Sequence, residues 1–160
     1  VQFEHKHLIE TLEKLIQKYH VKNGNLIIEI TESTAMHHID DSIQTFEKLR
    51  NLGIRLAIDD FGTGHSSFLY LKDLPVDELK IDREFIRNLC EGSKEQIILE
   101  SIIHLAIRLG LVVTAEGVET EQQAQILKRL GCQQLQGYLL GMPLPVDRLE
   151  TNYSMVKAVP

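Results

Sequence analysis

Asp59 and Asp60 stand side by side at the end of the apolar run 54–58, and the Gly-rich segment Phe61-Gly62-Thr63-Gly64 follows at once. Two carboxylates about 4 Å apart repel by about 4 kcal/mol at an effective dielectric of about 20, so a chain that sets such a pair at a strand end usually has a cation for it to hold. Other useful side chains recur at equivalent places. Glu29, Thr31 and Glu32 close the stretch 26–30, Lys80 and Asp82 belong to 78–82, Glu116 and Glu119 follow 111–115, and Gln136 precedes Gly137-Tyr138. Carboxylate and amide oxygens suit Mg2+ and Mn2+. Two such ions about 3.5–4 Å apart can hold both oxygens of a phosphoryl displacement, with an aspartate pair bridging them. A lysine beside them can steady the phosphate charge, and a free carboxylate can take a proton from water. Lys80, between Leu79 and Ile81, needs an anionic partner if it is buried.

Some of these residues have a plainer meaning. An acid just after a strand is most often a helix cap or a solvated loop residue, and Glu32 and Glu119 fit that description. Gly62-Thr63-Gly64-His65-Ser66-Ser67 lacks the third glycine of a dinucleotide fingerprint, and the acids before it would repel a pyrophosphate, so it reads as a loop whose Ser66 or Ser67 caps a helix. His37, His38 and His65 read as surface or loop residues before they read as ligands.

The elements that must position these groups alternate. Leu8, Ile9, Leu12, Leu15 and Ile16 line one face of a helix over 7–19, and Ile43, Phe46, Leu49 and Leu52 repeat the pattern over 41–52, stopped by Gly53. Residues 26–30, 54–58, 78–81, 111–115 and 133–138 read as strands, and 66–72 as a short helix. Ser93 with Gln96, and Thr120 with Gln123, carry capping-box patterns opening helices that end near Gly110 and before Gly131. The first of these is apolar on a wide arc from Ile97 to Leu109, which predicts burial on both sides, with a dimer interface as the second reading. Residues 147–157 read as a final helix or tail. Helical crossovers imply a parallel α/β sheet. Five βα units are too few for a closed eight-fold barrel, which needs about 250 residues; the pattern alone leaves a small doubly wound sheet and part of a barrel both open. In either case the strand ends form one edge on which sites are built.

Composition agrees with one soluble domain. The 160 residues are 43% hydrophobic and 25% charged, with a net charge of −6 that argues against a binder of polymeric nucleic acid. Cys90 and Cys132 form no metal spacing and read as free thiols of a reducing cytosol. No apolar run approaches the about 18 residues of a membrane span, so no membrane contact is expected of this segment. The chain begins at Val1 rather than Met and reads as a piece of something longer.

The chain resembles the EAL domain, the bacterial cyclic di-GMP phosphodiesterase family. The resemblance rests on Glu29-Ile30-Thr31-Glu32-Ser33, Asp59-Asp60-Phe61-Gly62-Thr63-Gly64 with Ser66-Ser67, 74–82, Ala115-Glu116-Gly117-Val118-Glu119-Thr120 and Gln136-Gly137-Tyr138, in order and spacing. It implies a partial TIM-like (β/α)8 barrel lacking its first strands over 1–150, with 151–160 as a tail. It further implies Glu29, Asp59 and Asp60 as ligands of two Mg2+ or Mn2+ ions, Lys80 and Glu116 as catalytic groups, Glu119 and Gln136 near the attacking water and substrate, and Glu32 as anchor of the loop 61–67. The reaction implied is hydrolysis of one phosphodiester of cyclic di-GMP to linear pGpG. A homodimer, sensory or GGDEF domains upstream and a cytoplasmic location belong to the same expectation, although a parent protein could be membrane-tethered. The Glu-Ala-Leu strand and the strand bearing a ligating asparagine would lie before Val1, so the 160 residues alone are expected to be inactive. The alternative is a non-catalytic cyclic di-GMP-binding or dimerisation module.

Overall fold

The computed structural model describes residues 7–37, 39–62, 68–145 and 148. Its elements run α1 (Leu8–Tyr19), β1 (Ile27–Thr31), α2 (Glu32–His37), α3 (Ile39–Asn51), β2 (Arg55–Phe61), α4 (Phe68–Leu71), β3 (Glu78–Ile81), α5 (Arg83–Arg87), α6 (Lys94–Arg108), β4 (Val112–Ala115), α7 (Glu121–Arg129) and β5 (Gln134–Leu135). All neighbouring strands pair in parallel, in the order β1-β2-β3-β4-β5. A doubly wound sheet reverses its strand order at a switch point. This sheet never reverses, so it is the arc of a (β/α)8 barrel rather than a small doubly wound sheet.

The register divides the sheet into two unlike faces. Ile30, Leu56, Ile58, Leu79, Ile81, Val113 and Ala115 point one way and are buried with Phe46 and Leu49 of α3, Ile86 of α5, Leu99 and Ile103 of α6, and Ile126 and Leu127 of α7. That is the hydrophobic core, and it lies between strands and helices. The alternate positions carry Glu29, Arg55, Asp59, Glu78, Lys80, Thr114 and Gln134, so the inner face of the arc is polar. Successive strand residues point to opposite faces, and Glu78-Leu79-Lys80-Ile81 is the clearest case.

Several sequence expectations change. The last strand is two residues, Gln134–Leu135, rather than 133–138, because the chain turns through Gly137, whose missing side chain lets it approach Val118. Two short helices, α2 and α5, follow β1 and β3 where no helix was expected. The expected short helix at 66–72 is Phe68–Leu71, and Ser66 and Ser67 lie outside the described residues. Burial on both sides of α6 is not found. Leu99, Ile102, Ile103 and Ala106 are buried, but Ile97 is 63% and Ile98 45% exposed. Among the described residues the helix layer has the sheet on one side only, and no second surface covers the outer arc. The Thr120–Gln123 capping box is complete, whereas Ser93 accepts from the Gln96 N–H and the Gln96 side chain turns to the N–H of Gly92. Of the expected final helix or tail at 147–157 only residue 148 is described, and the tail 151–160 lies outside the described residues. No helix among the described residues is long and apolar enough to cross a membrane. Both cysteines are free, Cys90 exposed and Cys132 buried, and burial pushes the Cys132 thiol up.

Candidate active site at the strand ends

Lys80 is the hub. It is 4% exposed on the inner face of β3, the central strand, and its ammonium can be buried only because acids reach it from both sides. Nζ lies 2.7 Å from Glu29 Oε1 of β1, 3.1 Å from Asp59 Oδ1 of β2 and 2.7 Å from Glu116 Oε1 just after β4. Burial alone would push the ammonium down, but the carboxylates of Glu116, Glu29 and Asp59 carry it well above the usual lysine range. Lys80 is therefore a fixed positive charge.

Asp60 reaches the same rim by breaking the strand rule. A regular strand would send it to the face opposite Asp59. Instead Asp60 takes a left-handed backbone, φ 55°, and the β2–β3 register shifts between Ile58 and Phe61. Aspartate tolerates this region better than most residues. The result is a bulge that lets two consecutive side chains face one site. Carboxylate oxygens of Asp59, Asp60 and Glu116 all lie within 4.8 Å of one another.

Three carboxylates so close strain one another electrically. Burial first, then the charges of Asp59 and Asp82, raise the Asp60 carboxyl above its ordinary range, against the opposing pull of Lys80 and Arg83. Burial also raises Glu116, with Asp59 and Glu29 adding to it and Lys80 opposing. Asp59 Oδ1 lies 3.1 Å from Lys80, within reach of its charge. It is nevertheless the buried side-chain oxygen that, among the described residues, has no hydrogen bond of good geometry. An all-oxygen, triply anionic donor set with an orphaned buried oxygen fits a hard divalent cation.

Of the residues singled out from the sequence, the structure thus groups Asp59, Asp60 and Glu116 directly, with Lys80 touching Asp59 and Glu116 and also holding Glu29. Glu29 is half-exposed and joins the cluster through Lys80. Glu32 is buried, and its Oε2 accepts the Gly62 N–H at 2.9 Å, tying the start of α2 to the turn after Asp60. Glu119 and Gln136 are exposed on the same rim. The Glu119 N–H donates to Gln123 Oε1 at 2.9 Å, and the Gln136 N–H donates to the Ala115 carbonyl at 2.8 Å. Asp82 is a helix cap, its Oδ1 accepting the Glu84 N–H at 2.7 Å. His37 lies in α2, and His38 and His65 fall outside the described residues.

Sequence reasoning missed a second polar group below the first. Glu78 is buried on the same face of β3 as Lys80; Thr114 Oγ1 donates to its Oε1 at 2.5 Å and Arg55 Nη2 lies 3.4 Å from its Oε2. The period-2 alternation of Glu78, Lys80 and Asp82 carried that signal.

A family model for the EAL domain matches residues 1–143. The chain is 47% identical over 149 residues to the bifunctional diguanylate cyclase/cyclic di-GMP phosphodiesterase MucR of Pseudomonas aeruginosa, covering 93% of this chain and 22% of that protein. It is 48% identical over 125 residues to the cyclic di-GMP phosphodiesterase NbdA of the same species, covering 78% and 16%. The chain thus spans less than a quarter of the length of either curated relative. Among solved structures it matches the PaMucR phosphodiesterase in complex with c-di-GMP with a TM-score of 0.87 at 47% identity, covering 92% of this chain and 60% of that one. It matches the EAL domain of Mycobacterium smegmatis DcpA with a TM-score of 0.91 at 38% identity, covering 99% and 71%. A manganese and cyclic di-GMP complex of Klebsiella pneumoniae BlrP1 matches with a TM-score of 0.79 at 31% identity, covering 86% and 35%.

Proposed function

The chain belongs to the EAL domain family, and on that premise we propose that the protein carrying it hydrolyses cyclic di-GMP to linear pGpG. The observation that carries this is the convergence of Asp59, Asp60 and Glu116 within 4.8 Å beside the buried Lys80. Residues 1–150 form the C-terminal part of the catalytic domain, and 151–160 a tail.

Asp59, Asp60 and Glu29 would hold divalent cations, Mg2+ or Mn2+ and in this proposal two of them, with Glu116 close enough to Asp59 and Asp60 to share the coordination. When bound, such ions polarise the phosphodiester and acidify the attacking water. Lys80 fixes the orientation of Glu29, Asp59 and Glu116 and offsets anionic charge as the phosphate enters. Glu116, held above the ordinary carboxylate range by burial, is suited to accept the proton of the water whose oxygen bonds to phosphorus. One P–O ester bond breaks and its oxygen leaves as a hydroxyl, carrying a proton that Glu116 returns directly or through solvent. Glu119 and Gln136, exposed on the rim, contact water and substrate, and Glu32 anchors the loop 61–67. The partners are cyclic di-GMP, a second copy of the chain, and sensory or GGDEF domains upstream, in a cytoplasmic setting.

The test is pGpG formation from cyclic di-GMP by the full-length protein with Mn2+, in the presence and absence of excess chelator, and with Asp59→Asn. Turnover that survives the chelator or the substitution would overturn the proposal. The 160 residues assayed alone are expected to be inactive, since β1 and β5 each leave a sheet edge unpaired among the described residues. A second reading, a non-catalytic cyclic di-GMP-binding or dimerisation module, is favoured by the exposed Ile97 and Ile98 of α6; binding of cyclic di-GMP without hydrolysis in Mn2+ would establish it.

A further inference from the structure

The glycines that follow the clustered acids are both pressed against one short helix. Gly62 comes two residues after Asp60 and Gly117 one residue after Glu116. A side chain at Gly62 would drive its Cβ into Phe85 Cε2, and one at Gly117 would place it 2.5 Å from Arg83 Cβ and 3.3 Å from Arg83 Cα. Both glycines have left-handed backbones, φ 99° and 70°. Phe85 and Arg83 belong to α5, which leaves the central strand between the two acid-bearing turns.

That helix is itself firmly held. Asp82 caps its start, Ile86 is fully buried in the core, and the Ile86 carbonyl accepts the Gln123 Nε2–H at 2.9 Å from α7. The same Gln123 accepts the N–H groups of Glu119 and Thr120 through Oε1, at 2.9 and 3.0 Å. So α5 is pinned from the core side while its first residues bear on the turn after Asp60 and on the turn after Glu116.

We propose that α5 is a strut for the metal site, and that Phe85 and Arg83 are positioning residues which set the separation of Asp59-Asp60 from Glu116. The ring of Phe85 stops the β2 turn and the base of Arg83 stops the β4 turn, so the two turns are gauged against one rigid body. Each bears on its turn through a glycine backbone, and the charge of Arg83 also reaches Asp60. This rests on the proposal that the clustered carboxylates hold a divalent cation.

The test is the Mn2+ dissociation constant of the full-length protein, measured by calorimetry or electron paramagnetic resonance, alongside its melting temperature. Outer-shell support of metal ligands typically governs affinity by about 10–100-fold, so Phe85→Ala and Gly117→Ala are each expected to weaken Mn2+ binding by about tenfold or more. Leu127→Ala, a core substitution in α7 away from the turns, should lower the melting temperature while leaving affinity within about twofold. Phe85→Leu, which keeps most of the bulk, should recover most of the affinity lost in Phe85→Ala. If Phe85→Ala does not fold, Phe85→Leu against Phe85→Val gives the same graded comparison, with the smaller side chain binding more weakly. Affinity indifferent to the size of residue 85, or lost equally in Leu127→Ala, would overturn the strut. A parent protein that binds no Mn2+ would instead overturn the metal reading beneath it and the strut with it.

Discussion

Replacing Lys80 by methionine removes the ammonium from the centre of the cluster while keeping its stem. Breaking a buried ion pair by removing one partner costs about 3–5 kcal/mol. The acids left behind are Asp59 and Glu116, whose side chains are 22% and 18% exposed, and Glu29, whose side chain is 50% exposed and contributes little because water screens it. Partial exposure places the expected loss at the low end, about 3 kcal/mol. At about 2–4 °C per kcal/mol for a domain of this size, the melting temperature of Lys80→Met in chelator should fall by about 6–12 °C. Divalent cations should reverse part of that loss, because a cation bound by Asp59, Asp60 and Glu116 replaces the missing charge and no longer meets a fixed ammonium beside it. A ligand at about 100 times its dissociation constant stabilises by about 2.7 kcal/mol, and by more as affinity rises. Mn2+ should therefore raise the melting temperature of Lys80→Met by more than that of the parent. Thermal unfolding of both proteins in chelator and in Mn2+ measures all four values. A fall below about 2 °C in chelator, or an equal gain from Mn2+ in the two proteins, would refute the role assigned to Lys80.

Two further outcomes follow from the same cluster. Asp60→Asn removes a carboxylate held above its ordinary range while keeping a residue type that tolerates the left-handed backbone; Mn2+ binding should weaken, and binding as tight as in the parent would count against Asp60 as a ligand. The raised carboxyls of Asp60 and Glu116 favour folding in their protonated forms, so their contribution to the metal-free fold is complete below the ordinary carboxylate range and is lost as pH rises through their raised values. Mn2+ binding must displace those protons, so the melting-temperature gain from Mn2+ should grow with pH across that window, and a gain that is flat with pH would contradict it. Lys80, raised by its acids, keeps its contribution through neutral pH and loses it only when pH climbs beyond the ordinary lysine range.

The alternation of helix and strand was legible because it depends on local periodicity, and β3 falls at Glu78–Ile81, where the sequence places it. Lys80 was legible as a buried cation needing anions because its neighbours are Leu79 and Ile81. What remained hidden depends on contacts between distant residues. A five-residue helix such as α5 has too few turns to show a period. The Asp60 bulge is a backbone event, invisible in a string that only records two adjacent acids. The choice between doubly wound sheet and barrel arc came from the family resemblance and not from periodicity, because strand order is encoded in no single βα unit. The outer face of α6 was misjudged because the width of an apolar arc does not tell how many layers cover it.

The division of the sheet into an oily face and an ionic face has an evolutionary corollary. Side chains such as Glu29, Asp59 and Gln134 can be exchanged without opening a hole among Leu56, Leu79 and Val113, because the pleat keeps the two sets on opposite sides. Reactivity and hydrophobic packing are thereby written in alternate letters of the same strands. A lineage that alters its chemistry leaves the oily layer whole, and what it must rebalance is the charge around Lys80.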